Sequence, residues 1–185
     1  MVPTLQTPSD FKNCCNTFFS FLFSEYGFIE ASREYVLTLG LRLNPYQVVY
    51  QRESVVLELR GTHHGFGVKA SIGFQFDGDF FTEFFDFPNC VRAVDPAFFQ
   101  TIQWPQPYIV GQEEHLQLHS KVLQQISPVF FGDIRKYADS LRTERAQEWS
   151  AWCDQRYRKE DEMLYSAWGK VALKYIQSWA EKKNS

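Results

Sequence analysis

The sequence predicts an α+β fold: an N-terminal helix on a five-stranded antiparallel meander sheet, with C-terminal helices closing the core. Residues 10–26 repeat apolar side chains at helical spacing, residues 34–87 alternate apolar and polar side chains between turn signals, and helical spacing returns after residue 111. The 185 residues are 44% hydrophobic and 22% charged, a globular composition with enough chain to bury a core without a metal or disulfide staple. A single domain, 1–185, is expected, with residues 1–110 supplying helix and sheet and residues 111–185 a helical segment.

Ser9 reads as the cap of the first helix and Asp10 suits its positive end. Phe11, Cys15, Phe18 and Leu22 then share a face until Gly27 stops it. From Glu34 the period changes to two, with Tyr35, Leu37, Leu39, Leu41 and Leu43 on one side, which predicts a first strand ended by Asn44-Pro45. A second strand spans residues 46–51, and Arg52 to Ser54 form a turn. The third carries Val55, Leu57 and Leu59 against Glu58 and Arg60. The fourth alternates most regularly, Phe66, Val68, Ala70, Ile72, Phe74 and Phe76 facing one way. Asp77-Gly78-Asp79 supplies hairpin chemistry, and Phe80 to Phe87 returns as the fifth.

Asn89 to Gln112 has three prolines and no sustained period, which predicts an irregular crossing pinned to the core by Phe98, Phe99, Ile102 and Trp104. Leu116, His119, Leu123 and Ile126 share a helical face that Pro128 interrupts, and Ile134, Tyr137 and Leu141 mark a helix starting near Asp133. A last helix is expected from Thr143 to Glu181, with Trp149, Cys153, Tyr157, Leu164, Trp168, Val171, Tyr175 and Trp179 along one side.

The net charge of −3 disfavours nucleic-acid binding, which needs a basic footprint to replace phosphate counterions. Residues 1–110 hold seven basic and eleven acidic side chains, so a basic partner would favour that part. The longest uncharged stretch, Pro96 to Gln112, is too rich in proline and glutamine to span a membrane, and Met1 to Thr4 lack the positive start of a secretory signal. The cytoplasm is the expected compartment. Cys14, Cys15, Cys90 and Cys153 lack metal or redox spacing and read as small apolar residues.

No motif names a reaction, and none calls for a cofactor. His115 and His119 stand one helical turn apart, as two metal ligands would, but the glutamate that follows the first histidine in zinc proteases is absent. His63-His64, between Gly61 and Gly65, sits in a turn that could present imidazoles to a ligand. Gly65-Phe66-Gly67 precedes a strand rather than a helix and is no phosphate loop; no nucleophile elbow occurs. The chain is therefore read as a binding protein rather than an enzyme. Asp77, Asp79, Glu83 and Asp86 form the densest acidic group and lack calcium-loop spacing. With Phe80 and Phe84 they make the candidate partner-binding set: rings to anchor, carboxylates to steer a basic protein.

Phe18-Phe19-Ser20-Phe21-Leu22-Phe23-Ser24-Glu25-Tyr26-Gly27-Phe28, followed by Asn44-Pro45-Tyr46-Gln47-Val48-Val49-Tyr50 and short strands, resembles small bacterial immunity proteins of polymorphic or contact-delivered toxin systems. The likeness covers residues 11–76. It implies a cytosolic, non-enzymatic protein that neutralises one cognate toxin, with a basic surface, by direct binding, and it carries over no catalytic residue. The alternative is a small-ligand-binding or hydrolytic domain with a pocket between sheet and helices. A homodimer through the Trp-rich last helix is compatible with either.

Overall fold

The structure, a computed structural model, describes residues 7–62, 65–75, 82–105 and 109–164, with side chains as far as Trp152. The N-terminal helix begins earlier than expected and is broken once. Thr7, not Ser9, caps α1 (Pro8–Phe18): its hydroxyl accepts from the Asp10 amide at 3.1 Å while the Asp10 carboxylate accepts from the Thr7 amide and hydroxyl. After Phe19 the chain resumes as α2 (Ser20–Tyr26), which ends at Gly27 in the left-handed region, φ 69°. The Phe18 carbonyl at the break accepts from the Ser120 hydroxyl at 2.6 Å, a partner 102 residues away.

The sheet has five antiparallel strands in sequence order, as expected, but its first member is a different segment. β1 is the two-residue Ile29–Glu30, and the residues read as the first strand instead form α3 (Arg33–Thr38) and the turn after it. Ser32 is the reason locally, since its hydroxyl accepts from the Tyr35 amide at 3.2 Å and caps a helix. Tyr35 and Leu39 are also spaced i, i+4, so the leucine run satisfies both periods. Packing decides: Tyr35, Val36 and Leu39 close on Val49 and Val56, while Leu37 is left 54% exposed.

β2 (Gln47–Arg52), β3 (Val55–Gly61), β4 (Val68–Gln75) and β5 (Thr82–Asp86) follow the predicted meander. Across them Tyr50, Leu57, Ile72 and Phe85 stand in register as one buried row, with Val48, Leu59 and Ala70 as the next. This face meets Phe11, Cys15, Phe19 and Leu22 of the N-terminal helices and forms the main core. The opposite face carries the smaller cluster under α3 and a buried carboxylate. Glu58 accepts from Gln47 Nε2 and Arg60 Nη2, both at 2.5 Å, which compensates its burial.

The expected irregular crossing is largely helical. Phe87 opens α4 (Phe87–Val94) rather than closing β5, and α5 (Pro96–Thr101) follows directly. Pro88 and Pro96 lie in first turns, where a missing N–H costs no helical bond, so one of the three prolines of that crossing, Pro96, starts a helix, as does Pro88 just before it. Asp95 caps α5 by accepting from the Phe98 amide at 2.8 Å. Phe98, Phe99, Ile102 and Trp104 pack on the core as expected.

α6 (Gln112–Phe130) runs through Pro128 without ending there, and α7 (Ile134–Leu164) is continuous across Thr143. Contacts divide the chain into two compact units, residues 1–141 and 142–185. As far as residue 141 the helical segment belongs with the sheet: Leu116, Leu123, Ile126 and Phe130 of α6 and Tyr137, Ala138 and Leu141 of α7 are buried in the main core. In the second unit Trp149 and Trp152 stack at 5.0 Å and are 64% and 46% exposed. The expected continuation beyond residue 164 lies outside the described residues. Among the described residues no helix is long and apolar enough to cross a membrane.

At Gly61 the strand passes so close to its cover that a Cβ would lie 2.6 Å from Gln112 Nε2 and 2.9 Å from the Phe11 ring. Gly61→Ala is expected to cost about 1–3 kcal/mol by overpacking, read as a lower urea midpoint at unchanged slope. A wild-type midpoint would contradict the seating of Gln112 on β3.

Candidate functional site

The start of α6 is stapled to the connection between β3 and β4. Phe66 bridges Gly111, the Gln112 amide donates to the Gly65 carbonyl at 3.2 Å, and the buried Gln112 side chain donates to the Thr62 carbonyl at 2.7 Å. One turn further on, His115 faces the sheet side of the helix, and His119 follows one turn later; they are only 4% and 6% exposed.

The opposite wall comes from β4, the β5–α4 junction and the segment after α5. Phe87 sets its ring edge-on to Trp104 at 6.1 Å and to His119 at 5.4 Å, while Phe99 backs Trp104 at 6.0 Å. A cavity of about 340 Å³ is left between these elements, lined chiefly by Val68, Ala70, Pro88, Trp104, His115 and His119. At its mouth Lys69 and Asp86 pair at 2.9 Å, with side chains 64% and 57% exposed.

Three residues that line the cavity each hold a buried polar atom without a hydrogen-bond partner: Trp104 Nε1, His115 Nε2 and His119 Nδ1. Buried polar groups are ordinarily satisfied, so three on residues around one cavity mark a place where solvent or a ligand, with a small shift of these side chains, completes the structure. Burial, reinforced by neighbouring His115, holds His119 down at about 3, and burial also lowers His115 against the opposing pull of Glu114. Both imidazoles are neutral at pH 7. Each offers one donor and one acceptor, and a base held so low is poorly matched to proton transfer at neutral pH. Their rings lie 6.1 Å apart, but among the described residues no group of three or more His, Cys, Asp or Glu side chains is placed to hold a metal ion.

The acidic and aromatic candidates are placed differently. Asp77, Asp79 and Phe80, like His63 and His64, lie outside the described residues. Glu83, Phe84 and Asp86 fall together on β5, the edge strand, but not on one face of it. Glu83 stands opposite Phe74 on the core side, half-buried. Phe84 turns to the other face, over Gly73 and against the cluster under α3, so its ring serves packing there. Asp86 is exposed and already paired with Lys69, and it borders the cavity.

In sequence, His115 and His119 have the spacing of a metal-ligand pair and Trp104 reads as core. That all three share one cavity has no signal in the sequence, because Trp104 reaches it through α4 and α5, two helices in a stretch without sustained period.

A pH dependence follows from His119. The unfolded imidazole binds its proton near pH 6.5 and the folded one only near 3, so between those values the unfolded chain holds more protons and stability falls as pH falls. The loss should approach about 1.4 kcal/mol per pH unit from this group in mid-window. Urea melts at several pH values are expected to show His119→Phe with a shallower acid slope than wild type; parallel slopes would mean that the imidazole is not held neutral.

Comparison of the chain with protein-family models, curated proteins and solved structures finds no match.

Proposed function

We propose that the protein is a cytosolic immunity protein that neutralises a cognate bacterial toxin by direct binding, without catalysis. The segments that carry the resemblance support this reading. Within Phe18 to Phe28, α2 is stopped by left-handed Gly27 and followed by a buried Phe28, and Asn44 to Tyr50 run into β2. The observation that carries the reading furthest is the acidic edge of the sheet: β5 ends the strand order, bears Glu83 and Asp86, and belongs to the acidic part of the chain. An edge of this kind suits a basic protein, because a carboxylate exposed on it, as Asp86 is, helps to steer the approach.

A second reading has its own observation. The cavity with three unpartnered polar atoms favours a small-ligand-binding domain, and the low basicity of His119 favours binding over hydrolysis within it. The neighbouring reading frame separates the two cheaply: a large toxin-like gene upstream supports the first, an operon of metabolic enzymes the second.

For the first reading the measurement is binding kinetics with the neighbouring gene product. Asp77→Lys with Asp79→Lys is expected to slow association and alter its salt dependence, since exposed charges act over a Debye length of about 8 Å. Asp86→Ala should also slow capture of a basic partner, because it releases the positive charge of Lys69. A carboxylate that inserts into the partner should cost about 2–5 kcal/mol on truncation, seen in dissociation. Unchanged kinetics for these variants and for Glu83→Ala would remove this edge from the interface.

A further inference from the structure

We infer that the cavity between β4, α4 and α6 is a binding site for a small, neutral, planar heteroaromatic molecule, recognised through a hydrogen-bonding edge that both donates and accepts. This rests on the second reading above, independently of any toxin, and names the ligand class for it.

The unpartnered atoms specify the edge. Trp104 Nε1 carries a hydrogen and only donates, so its complement is an acceptor. A neutral imidazole presents one donor and one acceptor, so His115 and His119 can meet groups of either kind beside it. A hydrocarbon would leave all three atoms unsatisfied in a site now emptied of water, whereas the edge of a nucleobase-like ring offers acceptor and donor side by side.

Charge and shape narrow the class. The charged side chains that line the cavity, Lys69 and Asp86, are exposed and paired with each other, and its other polar lining is two neutral imidazoles and an indole. An ion placed there would lose hydration without a counter-charge. The remaining walls, Val68, Ala70 and Pro88, are apolar, and the flat rings of Trp104 and the histidines suit a planar guest. A volume of about 340 Å³ is at the lower end for small-molecule sites. A metal ion is disfavoured because the described residues bring no third ligand to the histidine pair.

The experiment uses the full chain labelled with nitrogen-15, titrated separately with adenine, uracil, toluene and zinc chloride at up to millimolar concentration. Indole and imidazole NMR signals are followed, and calorimetry gives the affinities. Adenine or uracil is expected to bind and to shift the indole N–H signal that disappears in Trp104→Phe. His119→Phe should weaken that binding about tenfold or more, the value of one hydrogen bond, without lowering the thermal midpoint, since it removes an unsatisfied buried atom. His115→Leu provides the same comparison from the other imidazole if His119→Phe does not fold. Toluene binding as tightly as the bases, indifferent to both substitutions, would overturn the ligand class while keeping a small-molecule pocket. Zinc binding lost in both histidine variants, with neither base bound, would overturn it in favour of a metal site. If no probe binds, the inference and the small-ligand reading fall together, and water alone occupies the cavity.

Discussion

The row Tyr50, Leu57, Ile72 and Phe85, one residue from each of four strands standing side by side, is the constraint on which the remaining architecture depends. All four side chains are buried against the helices, and a slip of one residue in any strand would turn that strand's apolar set to the opposite face. The Tyr50 hydroxyl donates to Asn16 Oδ1 at 2.9 Å, which ties the row to α1 and satisfies its one polar group. Once this face is committed to the main core, Val49, Val56 and Phe84 must point the other way. They need a cover of their own, and α3 provides it.

The two faces balance polar burial differently. On the α3 side Glu58 is buried with its charge answered by Arg60 and an amide from Gln47, a closed arrangement. On the helix side the imidazoles of His115 and His119 are kept neutral by burial, and one nitrogen of each stays unanswered next to a cavity. The contrast is physical: a buried carboxylate must be paired to exist there at all, whereas an uncharged imidazole can wait for a partner at moderate cost.

Asp86 joins the two functional readings in one residue. It ends β5 on the acidic edge, pairs with Lys69, and stands at the mouth of the cavity. A protein docked along this edge and a small molecule entering the cavity would therefore meet the same ion pair. Occupancy of one place would alter the surface offered to the other.

Local pattern by itself determined the helical spacing from Phe11 to Leu22, though not the break at Phe19, and with it the alternation of β3 and β4, the turn between β2 and β3 and the apolar face of α6, because in each the spacing fits one period and turn or cap residues bound it. The sequence also showed the two histidines one turn apart, though not what faces them. Only the tertiary structure decided the rest. Tyr35 to Leu43 fits both helical and strand spacing, and the need to cover Val49 and Val56 selected the helix. Pro96 signals an interruption when read alone, but in the fold it opens α5, as Pro88 opens α4, and the two helices carry Trp104 to the cavity wall. Pro128 leaves α6 intact, with Ile126 and Phe130 on either side of it held in the core, where burial outweighs one lost backbone hydrogen bond. The candidate pocket was not legible for the same reason: its residues come from β4, α4, the segment after α5 and α6, and only the packing of those elements on one sheet brings them together.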